Sequence, residues 1–371
     1  LALDRPADAL AALDRSLILK PGYPGTLINR GMALMALNRP EAALADFDTV
    51  LRQQPRLTLA LVARGAALEK LGRQADALDS YNRAHTAAPR DCHALNQRGL
   101  LLVRGGRHEE ALADYDRALA IDPGLAAVRF NRATALLALG RPGEAHAEMR
   151  RVFTEHPGYP FAFDGLLDTS LRTCDFTQRA ALEANLAAHV RAGRPLTPFH
   201  LLLVSDDPAL QRLCAAGYTA RAVGSGVTAM APRRVGTGPR LKLAYLSHDF
   251  RAHTVATSNA ALLERHDRDR FELFAISTGP DDASPMRERL VKAFDHFLDV
   301  RDRTDEAVSR LLRDGEFDIA IDLKGHTEGA RPGILARRPC PVQVSYLGYP
   351  GTVAPWLDYI IADATVLPFD Q

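Results

Sequence analysis

From Leu1 to about residue 157, apolar residues recur at helical spacing, and the whole pattern repeats every 34 residues. Stepping by 34 from Ala9 gives Ala43, Ala77, Ala111 and Ala145, followed in turn by Leu10, Leu44, Leu78, Leu112 and His146. A bulky position reads Leu13, Phe47, Tyr81, Tyr115 and Met149, and a small one reads Gly31, Gly65, Gly99 and Ala133. Asn38, Gly72, Gly106 and Gly140 are each followed by Arg, and Pro21, Pro55, Pro89, Pro123 and Pro157 complete the register. Each column has a physical reason. Gly or Asn just past a helix takes the left-handed conformation that ends it. Pro marks where the second helix stops. A small residue facing a bulky one lets two helices approach closely. The pattern predicts a helix pair per unit, about four and a half units in all, with the first cut short by the start of the chain.

The segment Glu109–Pro123 (EEALADYDRALAIDP) resembles the second helix of a tetratricopeptide repeat. Such units bury their apolar faces only by stacking, so an α-solenoid is expected over residues 1–157. A solenoid of this kind either binds extended peptide or only spaces its neighbour. Asn29, Gln97 and Asn131 fall in one column of the first helix, interrupted by Ala63. Side-chain amides in such a row can clamp a peptide backbone with paired donor and acceptor. Asn29, Gln97 and Asn131 are therefore the candidate peptide-binding residues.

The register fades over residues 158–238, read as a helical joint and linker. Phe161–Arg172, Thr177–Ala192 and Ala209–Ala222 read as helices, and Gly224–Gly238 is rich in Gly and small residues. From residue 239 to 371 the grammar changes. Leu241–Leu246, Phe271–Ser277, Phe317–Leu323, Pro341–Tyr346 and Tyr359–Ala362 read as short buried strands. Helical stretches lie between them at Thr257–Glu264, Pro285–Phe294, Thr304–Asp314 and Ile334–Arg338. Strands alternating with helices imply a parallel sheet covered on both faces. Ligands of such sheets bind beyond the carboxyl ends of the strands. The loops there, Ser247–Thr254, Thr278–Ser284, Lys324–Arg331 and Leu347–Thr352, are rich in Gly, His and polar groups.

Composition narrows the function. A net charge of +1 gives no electrostatic support for nucleic-acid or anionic-membrane binding. No apolar run has the length of a membrane span, and the first residues lack the pattern of a secretory signal. The chain begins without Met, so its natural start is expected to lie upstream. Cys92, Cys174, Cys214 and Cys340 lie far apart with no CxxC pair, which points to reduced thiols in a cytoplasmic protein and to no metal site.

Three segments carry a specific resemblance. They are Tyr245-Leu246-Ser247-His248-Asp249-Phe250 followed by His253, then Lys324-Gly325-His326-Thr327 with Gly329-Ala330-Arg331, then Leu347-Gly348-Tyr349-Pro350-Gly351-Thr352. Together with the upstream repeats, they resemble the O-linked N-acetylglucosamine transferase, or SPINDLY, family. The resemblance implies tetratricopeptide repeats joined to a two-lobed (GT-B type) glycosyltransferase, of which this chain carries the N-terminal Rossmann-like lobe. It implies inverting transfer of GlcNAc from UDP-GlcNAc to Ser or Thr of acceptor proteins, with no metal and no other cofactor.

By the same resemblance His253 lines the active site as a candidate catalytic base, and a His suits proton transfer near neutral pH. Its other reading is a positioning residue. Thr254 stands where many relatives carry Pro, and His326 where many carry Tyr. His326, Leu347, Gly348, Tyr349, Pro350 and Gly351 are candidate substrate-binding residues. The Gly348–Gly351 turn lets backbone approach a sugar, or simply makes a tight turn, or both. The family's nucleotide-binding lobe is C-terminal, and the sequence stops at Gln371. The chain is thus expected to be the acceptor-side half, inactive without that lobe as partner. The alternatives are a non-catalytic repeat scaffold, for which the retained His253 and LGYPGT loop have less reason to exist, and a transferase using another nucleotide sugar such as GDP-fucose.

Overall fold

The computed structural model describes residues 5–224, 226–327, 329–346 and 354–362. The chain divides into two compact units, Leu1–Phe176 and Thr177–Gln371. The division falls inside the stretch read from sequence as a joint.

The first unit is a run of helix pairs: α1 (Pro6–Leu19), α2 (Pro24–Ala36), α3 (Pro40–Gln53), α4 (Thr58–Lys70), α5 (Gln74–Ala87), α6 (Cys92–Arg104), α7 (His108–Ile121), α8 (Ala126–Ala138), α9 (Pro142–Glu155) and α10 (Ala162–Thr173). Each packs on the next. The periodic columns do what their chemistry predicts. Helices α1, α3, α5, α7 and α9 each stop two residues before a Pro of the repeat column. Asn38, Gly72, Gly106 and Gly140 hold φ of 55°, 73°, 73° and 70°, the left-handed turn between the helices of a pair. A Cβ on Gly65 would meet the Tyr81 ring at 2.5 Å, and Gly31 and Gly99 face Phe47 and Tyr115 in the same way. Those three rings are fully buried. His146, standing in a Leu column, is buried against α10, with Nδ1 3.1 Å from Thr169 Oγ1 and Nε2 3.2 Å from Asp175 Oδ2.

One column escaped the sequence reading. Arg30, Arg64, Arg98 and Arg132 recur at the repeat step. Each reaches sixteen residues forward to its own unit and sixteen back to the previous one. Arg30 is bidentate to Asp46 (2.8 and 2.6 Å) and reaches Asp14 at 3.0 Å. Arg98 is bidentate to Asp114 (2.7 and 2.5 Å) and donates to Asn82 at 3.0 Å. Arg64 bridges Asp48 and Ser80, while Arg132 bridges Asp116 and Glu148. Asp46 and Asp114 are buried, so these are desolvated pairs rather than surface ones.

The second unit begins with α11 (Arg179–Arg191), α12 (Pro198–Leu202) and α13 (Pro208–Val223). It continues through β1 (Leu241–Ser247), α14 (Thr254–Glu264), β2 (Phe271–Ser277), α15 (Pro285–Ala293), β3 (His296–Asp299), α16 (Asp305–Asp314), β4 (Ile319–Asp322), α17 (Pro332–Ala336), β5 (Val342–Tyr346) and β6 (Tyr359–Ile361). The strands form one parallel sheet in the order β3-β2-β1-β4-β5-β6, the doubly wound Rossmann-type order. Alternation along β1 feeds two cores. Leu243 and Tyr245 pack with Ala260, Leu263 and Leu290 of α14 and α15, while Ala244 and Leu246 pack with Val308, Leu312 and Leu335 of α16 and α17.

Two details differ from the sequence expectation. Strand β3 was not foreseen: His296-Phe297-Leu298-Asp299 is a four-residue edge strand exposed at both ends, with no apolar run to mark it. The Gly-rich stretch before β1 is a strap tied to this unit, not a loose tether. Asp318 accepts Gly236 N at 2.6 Å and Lys242 N at 2.9 Å, Met230 N donates to Arg337 O at 2.7 Å, and Arg233 and Arg313 donate to Phe317 O and Ala231 O.

The arginine column yields a direct test. Arg98→Met strands the buried Asp114 carboxylate and is expected to destabilise the first unit by about 3–5 kcal/mol. Arg98→Met/Asp114→Leu should recover most of that loss. Chemical denaturation of the two variants checks it, and equal destabilisation by both would show that the loss does not come from a stranded carboxylate.

Candidate active site

Chain direction across the sheet reverses between β1 and β4, which are adjacent and parallel. At such a point the following loops part in opposite directions and leave a crevice. Here those loops are residues 248–253 and 323–331, which carry the motif residues.

The β1 loop is built by its own polar groups. Ser247 Oγ accepts Asp249 N at 3.0 Å, and Thr278 N donates to Ser247 O at 2.9 Å. His253 is the N-cap of α14, its ring Nδ1 accepting Val255 N at 3.3 Å. It is half-buried, and the same Nδ1 lies 3.7 Å from Asp249 Oδ2. His248 sits in a backbone cradle. A Cβ on Gly279 would come within 1.8 Å of the His248 carbonyl oxygen, and one on Gly329, at φ 79°, within 2.5 Å of the ring. Burial lowers the His248 pKa and keeps the ring neutral near pH 7.

The β4 loop is held by Asp322. Its carboxylate accepts Lys324 N at 2.9 Å and Gly325 N at 3.2 Å. Burial of the group pushes its pKa up to about 6, against those hydrogen bonds and the Lys324 charge. Lys324 Nζ then crosses to Asp249 Oδ2 at 2.6 Å, a buried ion pair that joins the two loops. Leu246, Ser247, Thr278, Asp322 and Lys324 help to line a cavity of about 20 Å³ between the strand ends, room for one water.

Two arginines brace this edge, Arg331 of the quoted motif and Arg287, which the sequence did not single out. Buried Arg287 donates to Phe250 O at 2.9 Å and Ser277 Oγ at 2.8 Å, and its guanidinium lies 4.3 Å over the Phe297 ring. It thereby ties together the ends of β1, β2 and β3. Arg331 binds Asp305 at 2.7 Å and the carbonyls of Val300 and Arg303. Its motif role is thus to anchor the loop, a use that spacing alone does not reveal.

The other candidates are placed as follows. His326 is buried, its ring edge-on to Tyr218 of α13 at 5.6 Å. Leu347, Gly348, Tyr349, Pro350 and Gly351 lie outside the described residues. Asn29, Gln97 and Asn131 sit half-buried on α2, α6 and α8, in the first unit. Asn131 Nδ2 donates to Asn96 Oδ1 at 2.9 Å, which links α8 to α6.

Comparison with known proteins finds two kinds of region in the chain. Residues 227–371 match the model described as Glycosyl transferase family 41. Residues 1–69 and 102–166 match tetratricopeptide-repeat models. The chain thus joins repeats that match tetratricopeptide-repeat models to a region similar to family 41 glycosyltransferases. Among its relatives, the Probable UDP-N-acetylglucosamine--peptide N-acetylglucosaminyltransferase SEC of Arabidopsis thaliana is 29% identical over 220 residues, covering 55% of this chain and 22% of that protein. The UDP-N-acetylglucosamine--peptide N-acetylglucosaminyltransferase of Caenorhabditis elegans is 37% identical over 137 residues, 36% of this chain and 12% of the relative. The solved structure of a mutant Thermobaculum terrenum O-GlcNAc transferase superposes with a TM-score of 0.51 at 26% identity, covering 82% of this chain and 53% of that one. The chain therefore spans about half of that structure and under a quarter of the two curated relatives.

The Asp322 carboxyl makes a pH prediction. Its folded pKa of about 6 lies above the ordinary 3.8, so between these values the folded unit binds a proton that the unfolded chain releases. Its contribution to stability is therefore greatest below pH 3.8 and falls as pH rises to about 6, then stays level. Subtracting the unfolding free energy of Asp322→Asn from that of the native chain across this range isolates the contribution. A flat difference would contradict the assignment.

Proposed function

We propose that the chain is the acceptor-side half of a protein O-linked N-acetylglucosaminyltransferase. Its second unit supplies one wall of the reaction cleft, and its repeats bind acceptor polypeptide. The observation that carries this reading is the meeting of the His253 and Lys324 loops at the switch point of the family 41 region, the place where a doubly wound sheet receives a ligand. The names borne by the relatives supply the donor, UDP-GlcNAc, and the acceptor, a peptide.

In this reading His253 serves the acceptor hydroxyl, and Leu347, Gly348, Tyr349, Pro350 and Gly351 are substrate-binding residues. His326 is a further substrate-binding residue. A C-terminal lobe holds the UDP diphosphate. Transfer inverts the anomeric centre: the Ser or Thr oxygen bonds to C1 as the UDP oxygen leaves, and the hydroxyl proton passes to a base. No metal takes part, because the charge of the leaving diphosphate falls to the other lobe. Asn29, Gln97 and Asn131 present amides to the acceptor backbone. Four cysteines far apart in sequence, with no CxxC pair, fit a reducing, cytoplasmic setting. Among the described residues no helix is long and apolar enough to cross a membrane.

The test is reconstitution. The chain mixed with a family 41 C-terminal lobe should transfer GlcNAc to a Ser/Thr peptide in the presence of EDTA. His253→Ala should lower turnover by about 10²-fold or more. Transfer by the 371-residue chain alone would refute the half-site reading, and dependence on added metal would refute the metal-free one.

A further inference from the structure

The atoms around Asp249 say more about His253 than its presence in the motif does. A backbone N–H can only donate a hydrogen bond. The approach of Val255 N to His253 Nδ1 at 3.3 Å therefore requires a lone pair on Nδ1. The proton of the neutral ring then resides on Nε2. A His in that tautomer presents an N–H to its ligand and accepts no proton through Nε2.

The opposite tautomer has an obvious partner. Asp249 Oδ2 is 3.7 Å from the same Nδ1, close enough that a small ring rotation would make an Asp–His hydrogen bond and free the Nε2 lone pair. In the structure that oxygen is already engaged by Lys324 Nζ at 2.6 Å. Both partners of the ion pair are buried, Asp249 at 2% and Lys324 at 10% side-chain exposure, so water does not compete for either. Arg251 approaches the other carboxylate oxygen only at 3.8 Å.

We propose that Lys324 is a positioning residue: by holding Asp249 it keeps His253 in the Nε2–H tautomer, so that His253 offers a hydrogen-bond donor, not a base, to an oxygen of the bound sugar or acceptor. Asp249 and Lys324 act through His253 and touch no substrate themselves. The proposal rests on reading His253 as a site residue, but its test uses no turnover, so it stands or falls apart from the transferase assignment.

The experiment is nitrogen-15 NMR of the histidine rings in the whole chain, with His253 assigned by comparison with His253→Gln. In the native chain at alkaline plateau the Nε2–H form should exceed the other roughly fivefold or more, the bias of one net hydrogen bond. A dominant Nδ1–H form would overturn the proposal. In Lys324→Met the freed carboxylate should draw the proton to Nδ1, whereas Asp249→Asn/Lys324→Met, with no carboxylate to do so, should keep Nε2–H. Unchanged tautomers in folded Lys324→Met would also overturn it. If Lys324→Met does not fold, Lys324→Gln, which keeps a donor on a shorter stem, should shift the ratio part of the way, and no shift there counts against the proposal.

Discussion

The second unit depends on the parallel pairing of β1 with β2 on one side and β4 on the other. That pairing sends the chain both ways from one central strand, and the loops leaving β1 and β4 must then diverge. Their backbone groups at the carboxyl edge need partners other than strands. Asp322 satisfies two of them, Ser247 another, and the buried Asp249–Lys324 pair joins the loops across the gap. A buried ion pair is weak evidence of net stability, because desolvation offsets its attraction. It does fix geometry, since neither partner has an alternative of equal quality in a dry site. Arg287 and Arg331 extend the same logic outward, each gathering several strand or loop ends onto one planar guanidinium.

The first unit obeys a different constraint. A repeat cannot bury its own apolar face, so what is fixed is the interface between neighbours, and the 34-residue step is the record of that interface. The Gly–aromatic contacts set how closely the helices of a pair approach. The arginine column sets how one pair sits on the last, and its partners vary while the guanidinium does not. Ser80 and Asn82 replace carboxylates in the middle of the row, yet Arg64 and Arg98 keep the same reach.

What was legible follows from the range over which each feature is encoded. Caps, prolines and Gly–ring pairs are local or periodic, and stepping along the chain finds them. Buried strands show as apolar runs, so five of the six strands were foreseen, while β3, short and exposed at both ends, left no such trace. The loops at the sheet edge were legible because Gly, His and polar residues cluster there. The Asp249–Lys324 pair was not, because 75 residues separate its partners and only the strand order brings them together. The arginine column was periodic and so available, but a charged residue on a helix reads first as solvated. The strap before β1 looked like a linker because its Gly and small side chains say nothing of the backbone bonds it makes to Asp318.

On the proposed function, these residues form one wall of a two-walled nucleotide-sugar site, with the diphosphate held by the other wall. Calorimetric titration of UDP into the chain, alone and then mixed with a family 41 C-terminal lobe, tests it most directly. The chain alone is expected not to bind UDP, and the mixture to bind it clearly. Tight binding of UDP to the chain alone would contradict it, because the crevice between β1 and β4 would then itself hold the diphosphate.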